Sequence, residues 1–326
     1  MDTISTAPVI PAQRHAGLFA GVACGMGAGA LWGLVFLAPE LVRQFSPLQL
    51  TVGRYFFYGL IASMLIAPRW RSLLARLPRR QWWHLAWLAL AGNTLYYVLL
   101  STAVQTGGIA MTSLVIGFLP VVVTLVGSRD HGAVPLRRLL PSLLLCAGGA
   151  LCIGWQSLGG AAGGVPGQRL LGLSCAVGAL VSWSAYAVGN ARCLVQLEQV
   201  SAHDWNLLTG VVTGAQSLLL LPLALAVQTA SHAGAEWARF AAVSAGVAML
   251  ASIAGNALWN RMSRLLPLTM VGQMILFETA FALLYGFAWE RRWPTGLELG
   301  ALACVVLGVM SCLAAHRRPV VAEVVG

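Results

Sequence analysis

An all-α integral membrane protein of ten transmembrane helices, arranged as two inverted five-helix repeats, is the fold class the sequence predicts. Three observations carry this expectation. The 326 residues are 58% hydrophobic and only 9% charged, whereas an ordinary soluble domain is about 25% charged. Ten apolar runs of about 20 residues each match the thickness of a bilayer core. The two halves of the chain also carry similar residues in the same order.

The runs can be taken in sequence. A polar segment, residues 1–16, is expected as a cytoplasmic tail. The first half, 17–156, holds runs at roughly 17–38, 47–67, 84–104, 107–127 and 136–156 by the length rule. A Gly-rich external linker, 157–168, follows. The second half, 169–315, holds runs at roughly 169–189, 205–227, 240–260, 266–289 and 296–315. Residues 316–326 form a second cytoplasmic tail. The first run has full length and lacks a small-residue cleavage site, so it reads as a retained helix and not as a signal peptide. Between Arg69 and Trp83, arginines alternate with Trp70, Leu73, Leu74, Leu77 and Trp82, a pattern expected of a helix lying on the anionic leaflet.

Orientation follows from the basic residues. All twenty cations are arginine. With the N-terminus inside, fourteen of them fall on cytoplasmic segments and six on external ones, which favours both termini inside. Five helices per half is an odd number, so the second half must be inserted upside down, the plan of many secondary transporters. Internal matches agree with that plan. Asn93-Thr94-Leu95-Tyr96-Tyr97 recurs 163 residues later as Asn256-Ala257-Leu258-Trp259-Asn260. Pro135 and Gly149 recur 159 residues later as Pro294 and Gly308, and Trp32 and Trp183 sit late in the first and sixth runs.

Composition also excludes functions. Without a lysine there is no Walker A loop and no Schiff-base lysine, so neither ATP-driven transport by this chain alone nor a pyridoxal cofactor is expected. The net charge of +10 lies between apolar runs and not on a soluble domain, which argues against nucleic acid as a partner. The seven cysteines form no C-x-x-C pair and read as packing residues. The six histidines are scattered at loops and helix ends, and no G-x-S-x-G or H-E-x-x-H is present. No cofactor or metal is expected. The partners implied are a small-molecule substrate and membrane lipids.

Several residues are out of place for lipid-facing packing. Glu278 is the one carboxylate deep in a run, and a charge there costs at least about 2.5–3.5 kcal/mol. It reads either as a contact for a substrate amine or proton, or as a structural carboxyl inside the bundle. Trp32, Tyr96, Tyr97, Trp183, Tyr186 and Trp259 lie inside runs, although Trp and Tyr normally gather at the interfaces. Their polar tips need partners that an aqueous path would supply; aromatic packing is the competing account. Asn93, Asn190, Asn256, Asn260 and Gln273 add uncharged donors and acceptors, for a pathway or for helix association. Arg54, early in the second run, is expected near the outer interface, where it snorkels, caps a neighbouring helix end or meets a carboxylate, the bland readings being favoured. Gly21, Gly25, Gly29 and Gly33 recur every fourth residue, a face that admits another backbone.

Read in order, Leu31-Trp32-Gly33, Pro47 and Arg54, then Phe118-Leu119-Pro120 and Gly148-Gly149, resemble one repeat of the EamA-type transporters of the drug/metabolite transporter superfamily. Leu276-Phe277-Glu278, Trp289-Glu290 and Gly308 resemble the repeat's closing segment in the second half. Two positions depart from that pattern: Ser128-Arg129-Asp130 stands where a Glu is usual after the fourth helix, and Thr279 follows Glu278 in place of Pro. The resemblance implies a ten-helix metabolite exporter in a bacterial inner membrane. Tyr96, Trp183 and Tyr186 are similar to aromatic positions of the YddG-like amino-acid exporter branch. The expected substrate pathway comprises Trp32, Tyr96, Trp183, Tyr186, Asn256, Trp259, Asn260, Gln273 and Glu278, and the expected activity is export of small metabolites, amino acids foremost, by alternating access. A membrane-embedded enzyme, a lipid-handling protein or a channel are the rivals; none of their motifs is found.

Overall fold

A computed structural model describes residues 11–127, 136–158, 166–196, 200–228, 231–265 and 268–317. The first ten residues, most of the Gly-rich linker (159–165), Ser128-Arg129-Asp130, Pro135 and residues 318–326 lie outside the described residues. Among those described, every regular element is helical. Seven helices are long and apolar enough to cross a membrane, and two shorter apolar helices, Ile109–Val123 and Gly296–Cys312, accompany them. The chain is a multi-pass integral membrane protein.

In their described residues, all ten apolar runs fall on helices. In chain order these are α1 (Pro11–Leu41), α2 (Pro47–Ile66), α3 (Trp70–Arg76), α4 (Arg79–Ala89), α5 (Leu95–Gly107), α6 (Ile109–Ile116), α7 (Leu119–Gly127), α8 (Leu136–Leu158), α9 (Pro166–Gln196), α10 (Ala202–Ala226), α11 (Gly234–Val247), α12 (Asn256–Leu265), α13 (Leu268–Glu290) and α14 (Gly296–Arg317). α1 starts earlier than the expected tail boundary at residue 16, and its first residue is a proline, whose fixed φ and missing N–H suit a first turn. Local chemistry sets the other starts. At α2, the Ser46 hydroxyl accepts from the Gln49 amide at 3.2 Å while the Ser46 N–H donates to the Gln49 side chain at 2.8 Å, a reciprocal cap completed by Pro47. Ser201 caps α10 through the Asp204 amide. Within the spans, Thr51, Ser63, Thr102, Thr106, Ser184, Thr209 and Thr213 donate to carbonyls four residues back. A hydroxyl surrounded by hydrocarbon thus finds its acceptor on its own helix.

Three runs are not single regular helices. The third joins α4 to α5 through a π turn at Leu90–Thr94, and the eighth joins α11 to α12 through a longer one at Ala248–Gly255. The fourth breaks at Gly117–Phe118, between α6 and α7, where Pro120 brings no N–H and starts a new helix. The arginine–tryptophan stretch is not one surface helix. It divides at Leu77–Pro78 into α3 and the first turns of α4, with Trp70 and Trp82 facing each other across the break at 6.2 Å.

The packing follows the small residues. α2 crosses α10 at Gly59 and Gly214, where a Cβ on either would strike the other backbone. The expected glycine face of α1 lies against α13: Gly29 meets Phe277 and Glu278, and Gly33 meets Phe281 and Ala282. α8 pairs with α14, and α9 pairs with α5.

Candidate functional site

The interior of this bundle holds a chamber of about 410 Å³, within the size range of small-molecule sites. Its walls come from both halves of the chain: Trp32 and Val35 from α1, Arg54, Tyr55 and Tyr58 from α2, and Gly92, Asn93 and Tyr96 from the third run. The second half contributes Trp183, Tyr186 and Asn190 from α9, Trp205, Asn206 and Thr209 from α10, Ala251, Ser252, Asn256, Trp259 and Asn260 from the eighth run, and Glu278 and Thr279 from α13. Ile116 and Leu119, either side of the α6–α7 break, close one flank. The chamber reaches from mid-bundle toward the end where α9 finishes and α10 begins.

Of the nine residues expected on a pathway, eight line this one chamber: Trp32, Tyr96, Trp183, Tyr186, Asn256, Trp259, Asn260 and Glu278. The ninth, Gln273, belongs to α13, and its side chain lies outside the described ones. Tyr97 packs away from the chamber and is fully buried. Aromatic rings meet in two pairs, Trp32 with Trp259 at 5.0 Å and Trp183 with Tyr186 at 5.7 Å.

The two π turns shape the wall. A π turn passes hydrogen bonding to the fifth residue and frees a carbonyl from the regular ladder. In the third run, the Ser182 hydroxyl of α9 donates to the Ala91 carbonyl at 2.7 Å. In the eighth run, the Trp32 indole N–H of α1 donates to the Ala251 carbonyl at 3.1 Å. Each turn also requires a glycine. A Cβ at Gly92 would enter the Tyr186 ring, and one at Gly255 would meet the Trp32 indole nitrogen at 2.7 Å. Gly92 and Gly255 are 163 residues apart, the same offset as Asn93 and Asn256.

Amides complete the polar wall. Asn93 donates to Thr213 at 3.0 Å and Trp205 to Asn190 at 2.8 Å. Tyr58 donates to the Asn206 carbonyl at 3.0 Å, and Asn256 donates to the Ser252 carbonyl at 2.8 Å. Asn260 and Glu278 line the same chamber.

Arg54 is a correction. It is not an interfacial snorkelling residue: it is 7% exposed and lines the chamber. Its Cζ sits 4.2 Å from the Tyr97 ring centre and 5.1 Å from that of Tyr55, and Nη2 donates to Ser252 at 3.3 Å. Sequence reasoning registered the residue but misplaced it, because position within a run says nothing about which helices will cover it.

A second recess, about 700 Å³, lies at the opposite end of the bundle. Here charges are paired. Arg292 donates to Glu298 through both terminal nitrogens, at 2.8 and 2.6 Å, and to Glu290 at 2.5 Å. The Thr295 amide donates to Glu298 at 2.7 Å, and the Thr295 hydroxyl ties α14 to Gln156 of α8. Arg43 bonds Glu40 and the Gln105 carbonyl, tying α1 to α5. Of these residues only Glu290 was singled out in the sequence, in the Trp289-Glu290 resemblance. The described residues hold no cluster of three metal-ligating side chains.

A bundle of apolar helices around a polar-aromatic chamber is the architecture of a solute transporter, and the comparisons agree. Residues 19–155 match the EamA-like transporter family. The chain is 31% identical over 316 residues to the inner membrane protein YtfF of Escherichia coli K12, an alignment covering 93% of this chain and 97% of that protein. The chain belongs to the EamA-like transporter family, within the drug/metabolite transporter superfamily. A solved crystal structure, 20% identical and covering 93% of this chain and all of its own, superposes with a TM-score of 0.58, a likeness of fold alone. The protein is thus a multi-pass membrane transporter of small molecules.

Proposed function

We propose that this protein is a secondary exporter of small amphipathic metabolites, amino acids with neutral or aromatic side chains foremost, working by alternating access. The carrying observation is the chamber, to which eight residues singled out for their chemistry contribute. Its aromatic pairs suit an apolar side chain, and its amides and charges suit a polar head. The similarity of Tyr96, Trp183 and Tyr186 to positions of the YddG-like branch points to the same substrate class.

Ten helices in two inverted halves is the topology we propose. The crossed bonds of the π turns support it. Trp32 of the first half holds the turn in the second, Ser182 of the second half holds the turn in the first, and Gly92 and Gly255 sit at equivalent places. The arginine count favours cytoplasmic termini. In that orientation the chamber extends toward the cytoplasm, and the ion-paired recess lies at the external end. A reporter fused after Arg318 should signal a cytoplasmic location; a periplasmic signal would refute the orientation.

Uptake into proteoliposomes with a panel of labelled amino acids tests the substrate class, and a panel in which nothing moves or competes rejects it. Trp183→Ala and Tyr186→Ala should each lower transport at least about tenfold, since an aromatic contact with the solute is lost, while the protein remains inserted. Normal transport by both variants would take these residues out of the pathway.

A further inference from the structure

The two charges of the chamber form no ion pair with each other, and one of them is short of acceptors. Arg54 makes a single hydrogen bond, the 3.3 Å contact with Ser252. Its Nε and Nη1 are buried and meet no acceptor at hydrogen-bond geometry. No carboxylate of the described residues lies within ion-pair distance of it. Arg292, at the other end of the bundle, satisfies the same three nitrogens with two carboxylates and a carbonyl. A guanidinium withdrawn from water needs an anionic partner or a full set of acceptors. Tyr97 supplies a ring face 4.2 Å from the guanidinium carbon, which attracts the charge and fixes its plane.

We propose that Arg54 is the docking point for the carboxylate of the transported molecule. The argument is one of complementarity. A planar guanidinium offers a fork of parallel N–H donors that matches the two oxygens of a carboxylate. Ser252, already against Nη2, can turn its own hydroxyl proton to the same group. The fork is held in advance by the Tyr97 ring, so little side-chain freedom is lost when a ligand arrives. Glu278 lines the same chamber from α13 and forms no ion pair with Arg54. A solute carrying a cation at one end and a carboxylate at the other would address both groups, and its apolar part the aromatic pairs of the same chamber. This assignment rests on the amino-acid reading and sharpens it: the chamber selects for the carboxylate.

Thermal stabilisation of the purified protein in lipid nanodiscs, with three matched probes, tests the assignment. The probes are L-phenylalanine, phenethylamine, which lacks the carboxylate, and hydrocinnamate, which lacks the amine. L-phenylalanine and hydrocinnamate should bind the wild type and lose at least about tenfold in affinity in Arg54→Gln, the scale of a lost charge-assisted hydrogen bond. Phenethylamine should bind both proteins alike. Carboxylates that bind Arg54→Gln as well as the wild type overturn the assignment, and so does a wild type that binds phenethylamine alone. In either case, movement of a labelled amino acid or amine in proteoliposomes leaves the exporter reading standing. A wild type stabilised by none of the probes removes the assignment and the amino-acid reading together. Should Arg54→Gln fail to insert, Arg54→Lys repeats the comparison, since it keeps a cation in the bundle and removes the planar fork. The loss is again expected for the carboxylates only, and equal losses for all three probes would mean a packing role.

Discussion

Charge is treated in opposite ways at the two ends of this bundle. In the recess at the end of α13, Arg292 is clamped by Glu290 and Glu298, Glu298 also accepts from the Thr295 amide, and Arg43 is held by Glu40 and a carbonyl. In the chamber, Arg54 and Glu278 share one space without forming an ion pair. Both arrangements involve groups that hydrocarbon disfavours. The paired set satisfies itself and ties α1, α5, α8, α13 and α14 together. The separated set is only partly satisfied, Arg54 by Ser252 and two tyrosine rings with Nε and Nη1 left over, which is the property a binding site needs. The contrast separates charges that hold helices together from charges we propose receive a solute, and each can be broken separately.

The largest effect is expected at Glu278. Replacement by Gln keeps the shape, removes the charge and removes the capacity to exchange a proton. Transport should fall by about tenfold or more, the loss of a charge-assisted bond to an ammonium group. It should also become flat from about pH 5 to about pH 8, a range over which a wild type that exchanges protons at this residue varies. A Glu278→Gln variant that transports like the wild type across that range would make the residue structural.

The paired end should respond in stability. Glu298 is 5% exposed and its partner Arg292 about a third exposed. Removing one partner of a fully buried pair costs about 3–5 kcal/mol, and the exposed side of Arg292 reduces this toward about 2–3 kcal/mol. Glu298→Gln should therefore lower the melting temperature of the detergent-solubilised protein markedly. Replacing both residues by Met should recover part of the loss, since no charge is then stranded. Ligand affinity in the chamber should change less than stability does. A Glu298→Gln protein that melts like the wild type would show this network to be idle.

How much of this was legible in the sequence differs by element. The helices were legible because lipid demands length and apolarity, and both are counted directly: in their described residues, all ten runs are helical. The interruptions were not. A π turn adds one residue to a loop of the ladder, and no residue type commits to it. Neither Gly92 nor Gly255 stood out, because the need for them arises from Tyr186 and Trp32 on other helices. Glu278 was legible because a carboxylate in the middle of an apolar run has few innocent explanations. Arg54 was misread because, seven residues into its helix, it could reach the interface if its neighbours left a path; Ser252, Tyr55 and Tyr97 close that path. The charge pairs at the other end depend on α13 and α14 turning back on one another, which run lengths do not convey.

The smallest effect sharpens the comparison by moving from charges to backbone. The Ala91 and Ala251 carbonyls lie in the two π turns, and each takes one side-chain donor from a helix of the opposite half, Ser182 and Trp32 respectively. Ser182 is buried and does not line the chamber, so it is the cleaner of the two to change. Ser182→Ala leaves the Ala91 carbonyl without its donor and alters no wall of the site. The expected cost is about 1 kcal/mol, the net worth of one neutral hydrogen bond, seen as a small drop in melting temperature. Substrate affinity should be unchanged within about twofold, since no contact with the solute is lost. Trp32→Phe removes the equivalent bond on the other side and also disturbs the contact with Trp259. It should match Ser182→Ala in the backbone term and exceed it in loss of transport. If Ser182→Ala instead impaired transport as strongly as Trp32→Phe while leaving stability intact, the π turn itself would be a moving part of the cycle and not a fixed piece of wall.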